Sequence, residues 1–147
     1  MNLDKYIHFA NASFLDFEFD SEGPKGKIRK VARFVEMGPN LYNFGFGDLD
    51  NTTGVLNDII VSNNGDASKI LATVVDIIND FTKRFPGAII FVEGVTHSRT
   101  RWYQMSINKN LDEIENNFEI FGYRKEQWEY FQKGQNYEAF FARRRKG

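Results

Sequence analysis

The feature that most constrains this chain is an amphipathic helix pattern set between two apolar runs of strand length. From about Ala67 to Phe85, the residues Ile70, Leu71, Val74, Val75, Ile77, Ile78, Phe81 and Phe85 form one wide apolar stripe at helical spacing. Asp66 occupies the N-cap position, and Pro86-Gly87 stops the helix. Ahead of it, Val55 to Val61 contains Ile59-Ile60-Val61 and reads as a buried strand. Behind it, Ala88 to Val92 is continuously apolar. Strand, helix and strand in that order predict a right-handed crossover onto a parallel pair.

The remaining elements flank this unit. Leu15, Phe17 and Phe19 alternate with Asp16, Glu18 and Asp20, which places one set on the core and the other in water. Ser21 to Gly26 is a turn. A second strand follows from Lys27 to Glu36, with Ile28, Ala32 and Phe34 on one side. The third, Leu41 to Asp48, puts Tyr42, Phe44 and Phe46 on one face; Gly45 and Gly47 leave the other bare. A second helix is expected from about Arg99 to Glu115, then a strand from Phe118 to Tyr123. Gln127–Gln132 and Tyr137–Arg143 read as a hairpin joined by Lys133-Gly134-Gln135-Asn136. The order is β-β-β-β-α-β-α-β-β-β. It describes an α+β fold: one mixed, mostly antiparallel sheet of about six or seven strands with two main helices. The chain, 1–147, reads as a single domain.

Composition narrows the chemistry. The absence of cysteine excludes disulfides, thiolate catalysis and cysteine-ligated metals. Met1 to Lys5 lacks the pattern of a signal peptide, and no apolar run reaches the ~18 residues of a membrane helix, so a cytoplasmic protein with no membrane partner is expected. A net charge of −1 gives little steering toward nucleic acid. Neither His8 nor His97 has a second histidine or a carboxylate at ligand spacing, so no metal site is expected.

Two segments follow apolar strands and open helices. In Ser62 to Lys69 the residues Asn64, Gly65, Asp66, Ala67 and Ser68 offer backbone N–H groups and the positive end of a helix dipole, which suit a phosphate. The plainer reading is an Asp66-capped helix after a tight turn. In Thr96 to Tyr103, Arg99 and Arg101 stand in a first turn whose dipole disfavours cations. They are expected to hold an anion bidentately, with Thr96 and Ser98 nearby, or else to pair with surface carboxylates. If the two apolar strands are parallel neighbours, both helix starts open at one sheet edge, where open α/β sheets bind ligands. Tyr42-Asn43-Phe44-Gly45-Phe46 is a faint echo of an RNA-recognition strand, and Arg143 to Lys146 is a cationic tail.

Several segments, among them Phe46-Gly47-Asp48, Val61 to Asp66, Ser98-Arg99-Thr100-Arg101 and Lys133 to Phe140, resemble an uncharacterised bacterial family found mainly in Bacteroidota, a domain of unknown function. From Val55 onward the order is also similar to the core of the GCN5-related N-acetyltransferase superfamily. That resemblance implies an acetyltransferase-like fold and coenzyme A as cofactor. Its pyrophosphate turn is Gln/Arg-x-x-Gly-x-Gly/Ala; Ser62 to Ala67 keeps the Gly and the Ala but not the leading residue. Thr96 and Tyr103 match a seven-residue Asn-to-Tyr spacing, which implies Tyr103 as the acid for a departing thiolate.

Three functions therefore stand: an anion-binding, acyltransferase-like domain; a non-enzymatic protein-interaction module, as in a bacterial regulatory or defence system; and a nucleic-acid binder using the tail.

Overall fold

The computed structural model describes residues 4–50, 53, 56–57, 64–94 and 96–145. The chain order is β1 (Phe9–Ala10), β2 (Asp16–Gly23), β3 (Gly26–Gly38), β4 (Leu41–Leu49), β5 (Leu56–Asn57), α1 (Ala67–Arg84), β6 (Ile89–Val92), α2 (His97–Ile114), β7 (Phe118–Arg124), β8 (Gln127–Tyr130) and β9 (Ala139–Arg144). The sheet runs β1-β2-β3-β4-β6-β9-β7-β8, with β5 attached to β4. The α+β class and the two helices are as expected; the sheet gains strands through the two-residue β1 and β5. None of the described helices is long and apolar enough to cross a membrane.

Among the described strands one pairing is parallel, and its partner differs from the expected one. The crossover through α1 sets β6 beside β4, with Tyr42 opposite Ile90 and Phe44 opposite Val92. The other side of β6 is taken by β9. Of the segment Val55–Val61, Leu56–Asn57 pairs with the end of β4, and Ile59-Ile60-Val61 lies outside the described residues.

The expected C-terminal hairpin is also corrected. β8 folds back on β7 through a tight turn at Lys125-Glu126, both with positive φ, the geometry of a two-residue hairpin turn. Non-glycine residues seldom adopt it, so that turn carried no sequence signal. β9 does not pair with β8. It enters between β6 and β7, because Ala139 and Phe140 must be buried while β8 is largely exposed.

The core lies between one sheet face and both helices. Ile70, Val74, Ile77 and Phe81 of α1 and Tyr103, Leu111 and Ile114 of α2 meet Phe17, Phe19, Phe34, Phe44, Phe46, Ile90 and Phe140. Phe34 and Phe81 stack with centroids 3.8 Å apart and planes 2° from parallel. The tail arginines belong to this fold. Arg143 pairs with Glu119, Arg144 donates to Asn79 and Thr82, and Arg145 donates to the Glu115 carbonyl.

Candidate functional site

On the helix-facing side of β2, β3 and β4 the apolar rows are interrupted by polar residues toward the same end. Strand alternation carries Phe17 and Phe19 on to Ser21, Phe34 and Ala32 back to Lys30, and Phe44 and Phe46 on to Asp48. The register sets Lys30 directly opposite both Phe19 and Asp48. The Lys30 side chain is 2% exposed, and its ammonium pairs with the Asp48 carboxylate. A buried ammonium needs such a partner, since its desolvation costs several kcal/mol.

The loop entering α1 is pinned over this polar end. Asn64 is buried; its Oδ1 accepts from Lys25 N at 2.7 Å, and its Nδ2 donates to the Gly26 carbonyl at 2.9 Å and to Ser21 Oγ at 3.3 Å. Both amide protons are thereby used, so Asn64 clamps the β2–β3 turn. A Cβ on Gly23 would lie 2.0 Å from the Asn64 carbonyl oxygen, so only glycine admits the loop.

Asp66 does not cap α1, contrary to expectation. Its backbone, φ −128° and ψ 30°, is not the extended cap conformation, and its side chain makes no cap hydrogen bond. The carboxylate turns instead to the Tyr6 hydroxyl and to Ser21 Oγ, 2.6 Å away, both donating to Oδ2. Oδ1 is buried with no hydrogen-bond partner among the described residues. Burial, and next the hydrogen bond to Asp66, push the Tyr6 phenol above its ordinary range. Among the described residues, the N-cap side chain thus gives no hydrogen bond to the first amides of α1.

The start of α2 is built differently. Thr96 is extended and its Oγ1 accepts from Arg99 N at 3.2 Å, a side-chain cap that starts the helix at His97, two residues earlier than expected. Arg99 is 2% exposed, with its guanidinium 5.7 Å from the centroid of the Trp102 ring. Arg101 is exposed. Residues two apart on a helix do not face each other, so the expected two-arginine clamp does not form.

These parts meet at a cavity of about 250 Å³. The strands contribute Lys30, Phe46 and Asp48; α1 and its lead-in contribute Asn64, Asp66, Ala67 and Ile70; α2 contributes Arg99 and Trp102. The Trp102 ring stacks on Phe46 at 5.9 Å and 9°, and Phe46 stacks on Phe19. The cavity lies beyond the C-terminal ends of the parallel strands β4 and β6, the place where open α/β sheets receive ligands.

The structure thus gathers Asn64, Asp66, Ala67 and Arg99 at one mouth. Gly65, Ser68, Ser98 and Arg101 are exposed and do not line it, and Thr96 is spent as a cap. Tyr103 is 6% exposed and turns into a separate apolar cavity of about 90 Å³ among Phe44, Val74, Ile90 and Trp102. Sequence reasoning missed Tyr6, Ser21, Lys30, Phe46, Asp48 and Trp102 as site residues. For Ser21, Lys30 and Asp48 the signal was present: each stands in phase with the buried residues of its strand.

The chain belongs to a family of unknown function (DUF6934), whose model matches residues 2–145. No curated protein and no solved structure matches it.

Proposed function

We propose that this member of the DUF6934 family binds a small phosphate-bearing ligand in the cavity between the starts of α1 and α2. The observation that carries the reading is the convergence of the buried Arg99 and the first turn of α1, which Asp66 does not cap, on one cavity, beside the stacked wall of Trp102 and Phe46. A guanidinium offers a fork of donors that matches phosphate oxygens, and free helix amides add to it. The indole wall suits a flat or apolar body on the same ligand. Lys30 is neutralised by Asp48, and Asp66 keeps a carboxylate at the rim, so the net attraction favours one modest anion over a polyphosphate.

Coenzyme A fits these residues poorly. The Asp66 carboxylate lines the same cavity and would repel the doubly charged pyrophosphate, and Tyr103 lies in a different cavity. Acyl transfer stands as the enzymatic form of the proposal only for an acyl donor other than coenzyme A.

Thermal unfolding with inorganic phosphate, nucleoside monophosphates, acetyl phosphate and coenzyme A tests this. A ligand present at a hundred times its Kd adds about 2.7 kcal/mol of stability. A shift with a small phosphate compound, lost in Arg99→Lys, supports the site, because lysine keeps the charge and loses the fork. No shift with any compound ends the proposal.

A second reading, protein contact, is favoured by the opposite face of the sheet. There Phe121, Phe141 and Trp128 pack together at 4.4 and 4.9 Å, with Trp128 42% and Tyr130 59% exposed. Aromatic residues exposed in this way are enriched at interfaces. Concentration-dependent mass by light scattering, removed in Trp128→Glu, is its test; a monomer at every concentration counts against self-association through that face.

A further inference from the structure

On the other side of α1 the fold assembles a donor set that no sequence spacing reveals. Asp76 and Asp80 stand four residues apart on α1, and His8 arrives from the segment ahead of β1. His8 Nε2 lies 3.0 Å from Asp76 Oδ2 and 3.3 Å from Asp80 Oδ2, and the three ligand atoms lie within 4.8 Å of one another. The expectation that His8 lacks a carboxylate neighbour holds along the sequence and fails in space.

We infer that His8, Asp76 and Asp80 form a binding site for a divalent transition metal, with zinc the best match. Two donors each about 2.0–2.1 Å from Zn²⁺ at a tetrahedral angle lie about 3.3 Å apart, close to the two separations seen here. One imidazole and two carboxylates form a borderline-to-hard set that suits Zn²⁺ and Mn²⁺ over the softer thiolate metals.

The set is held in place by its surroundings. The His8 side chain is 12% exposed and its ring packs edge-on against Phe17 at 5.8 Å, which fixes its plane. Tyr6 N donates to Thr73 Oγ1 at 2.8 Å and ties the segment carrying His8 to α1. Lys5 Nζ binds the outer oxygen of Asp76, Oδ1, at 2.8 Å, and leaves Oδ2 turned toward the ring. Outer-shell contacts of this kind orient metal ligands. His8 and Asp80 also line a surface cavity together with Lys83 and Arg84, so the donor set is reached by water and a bound metal would keep a position for it. Three protein ligands and one open position are the pattern of a reactive zinc rather than a closed structural one. The site is separate from the Arg99 cavity and does not depend on the proposed ligand there.

Titration calorimetry of the chelator-treated chain, residues 1–147, with zinc chloride tests the site, with cobalt as a spectroscopic substitute. One equivalent of zinc is expected, and cobalt is expected to give the visible absorption of a low-coordinate site. His8→Gln and Asp80→Asn should each weaken zinc at least tenfold. Asp80 is half exposed, so its variant keeps the test usable if the histidine variant fails to fold. His97→Gln, at the exposed start of α2, should change nothing. No binding at millimolar zinc, or an affinity unaltered in Asp80→Asn, overturns the inference.

Discussion

Strands β2, β3 and β4 present the same face to the helices at both of their ends, yet the two ends are opposites. At one, Phe17, Phe34 and Phe44 lie in edge-to-face contact and Phe81 of α1 stacks on Phe34. At the other, the same rows carry Ser21, Lys30 and Asp48, and the helices answer with Asp66, Arg99 and Trp102. Packing alone accounts for the first end. It does not account for the second, where a lysine and an arginine are 1% and 2% exposed. Buried ion pairs seldom improve on well-packed apolar residues. The second end is the one where the proposed ligand would sit.

The sharpest way to break this comparison is to damage each end in turn. Phe81→Ala removes a ring that touches Phe34, Tyr42 and Phe85 and leaves a cavity in the fully buried core. A loss of about 3–5 kcal/mol is expected from urea unfolding, with phosphate binding retained in the folded fraction. A loss below about 1 kcal/mol would mean that this end is not the packing centre of the domain.

The polar end should respond less and in another way. Asp48→Ala leaves the Lys30 ammonium buried without its carboxylate, and a loss of about 2–4 kcal/mol is expected. Replacing both partners, Lys30→Met with Asp48→Leu, should restore stability to within about 1 kcal/mol of the natural protein. The same double variant should bind phosphate compounds differently, because it changes the cavity lining. Equal losses in the single and double variants would show a pair held for stability and would remove the contrast.

Much of this contrast was open to sequence reading, because strand alternation is local. Phe17, Phe19, Ser21 and Phe44, Phe46, Asp48 are unbroken period-two rows, and Lys30 sits in phase between Ile28 and Ala32. The stripe of α1 was legible for the same reason. The start of α2 was harder to place, since its buried residues include Arg99, Thr100 and Gln104, which an apolar pattern passes over. What stayed hidden depends on pairing across long separations. Nothing near β6 says that its neighbours are β4 and β9. Nothing near Asp66 says that Tyr6 will take its carboxylate and spoil the cap. His8 meets Asp76 only through the packing of β1's lead-in against α1.

The smallest expected effect separates the two ends by pH. Each end carries a tyrosine whose phenol is raised above its ordinary 10.0: Tyr6 by burial and then by Asp66, Tyr42 by burial and then by the charge of Glu36. A raised phenol binds its proton more tightly in the folded chain. Its contribution is whole below the unfolded value and is lost as pH rises through the folded one. Stability should therefore fall on the alkaline side, from about pH 10 upward. Tyr6→Phe and Tyr42→Phe should each flatten that limb of the curve of unfolding free energy against pH. At neutral pH they should differ, because Tyr6→Phe strips Asp66 of a donor while Tyr42 makes only a long, 3.5 Å bond to Glu36. If Tyr6→Phe leaves both the alkaline limb and phosphate binding as they were, the Asp66 corner is an ordinary turn and the polar end owes its character to Lys30 and Arg99 alone.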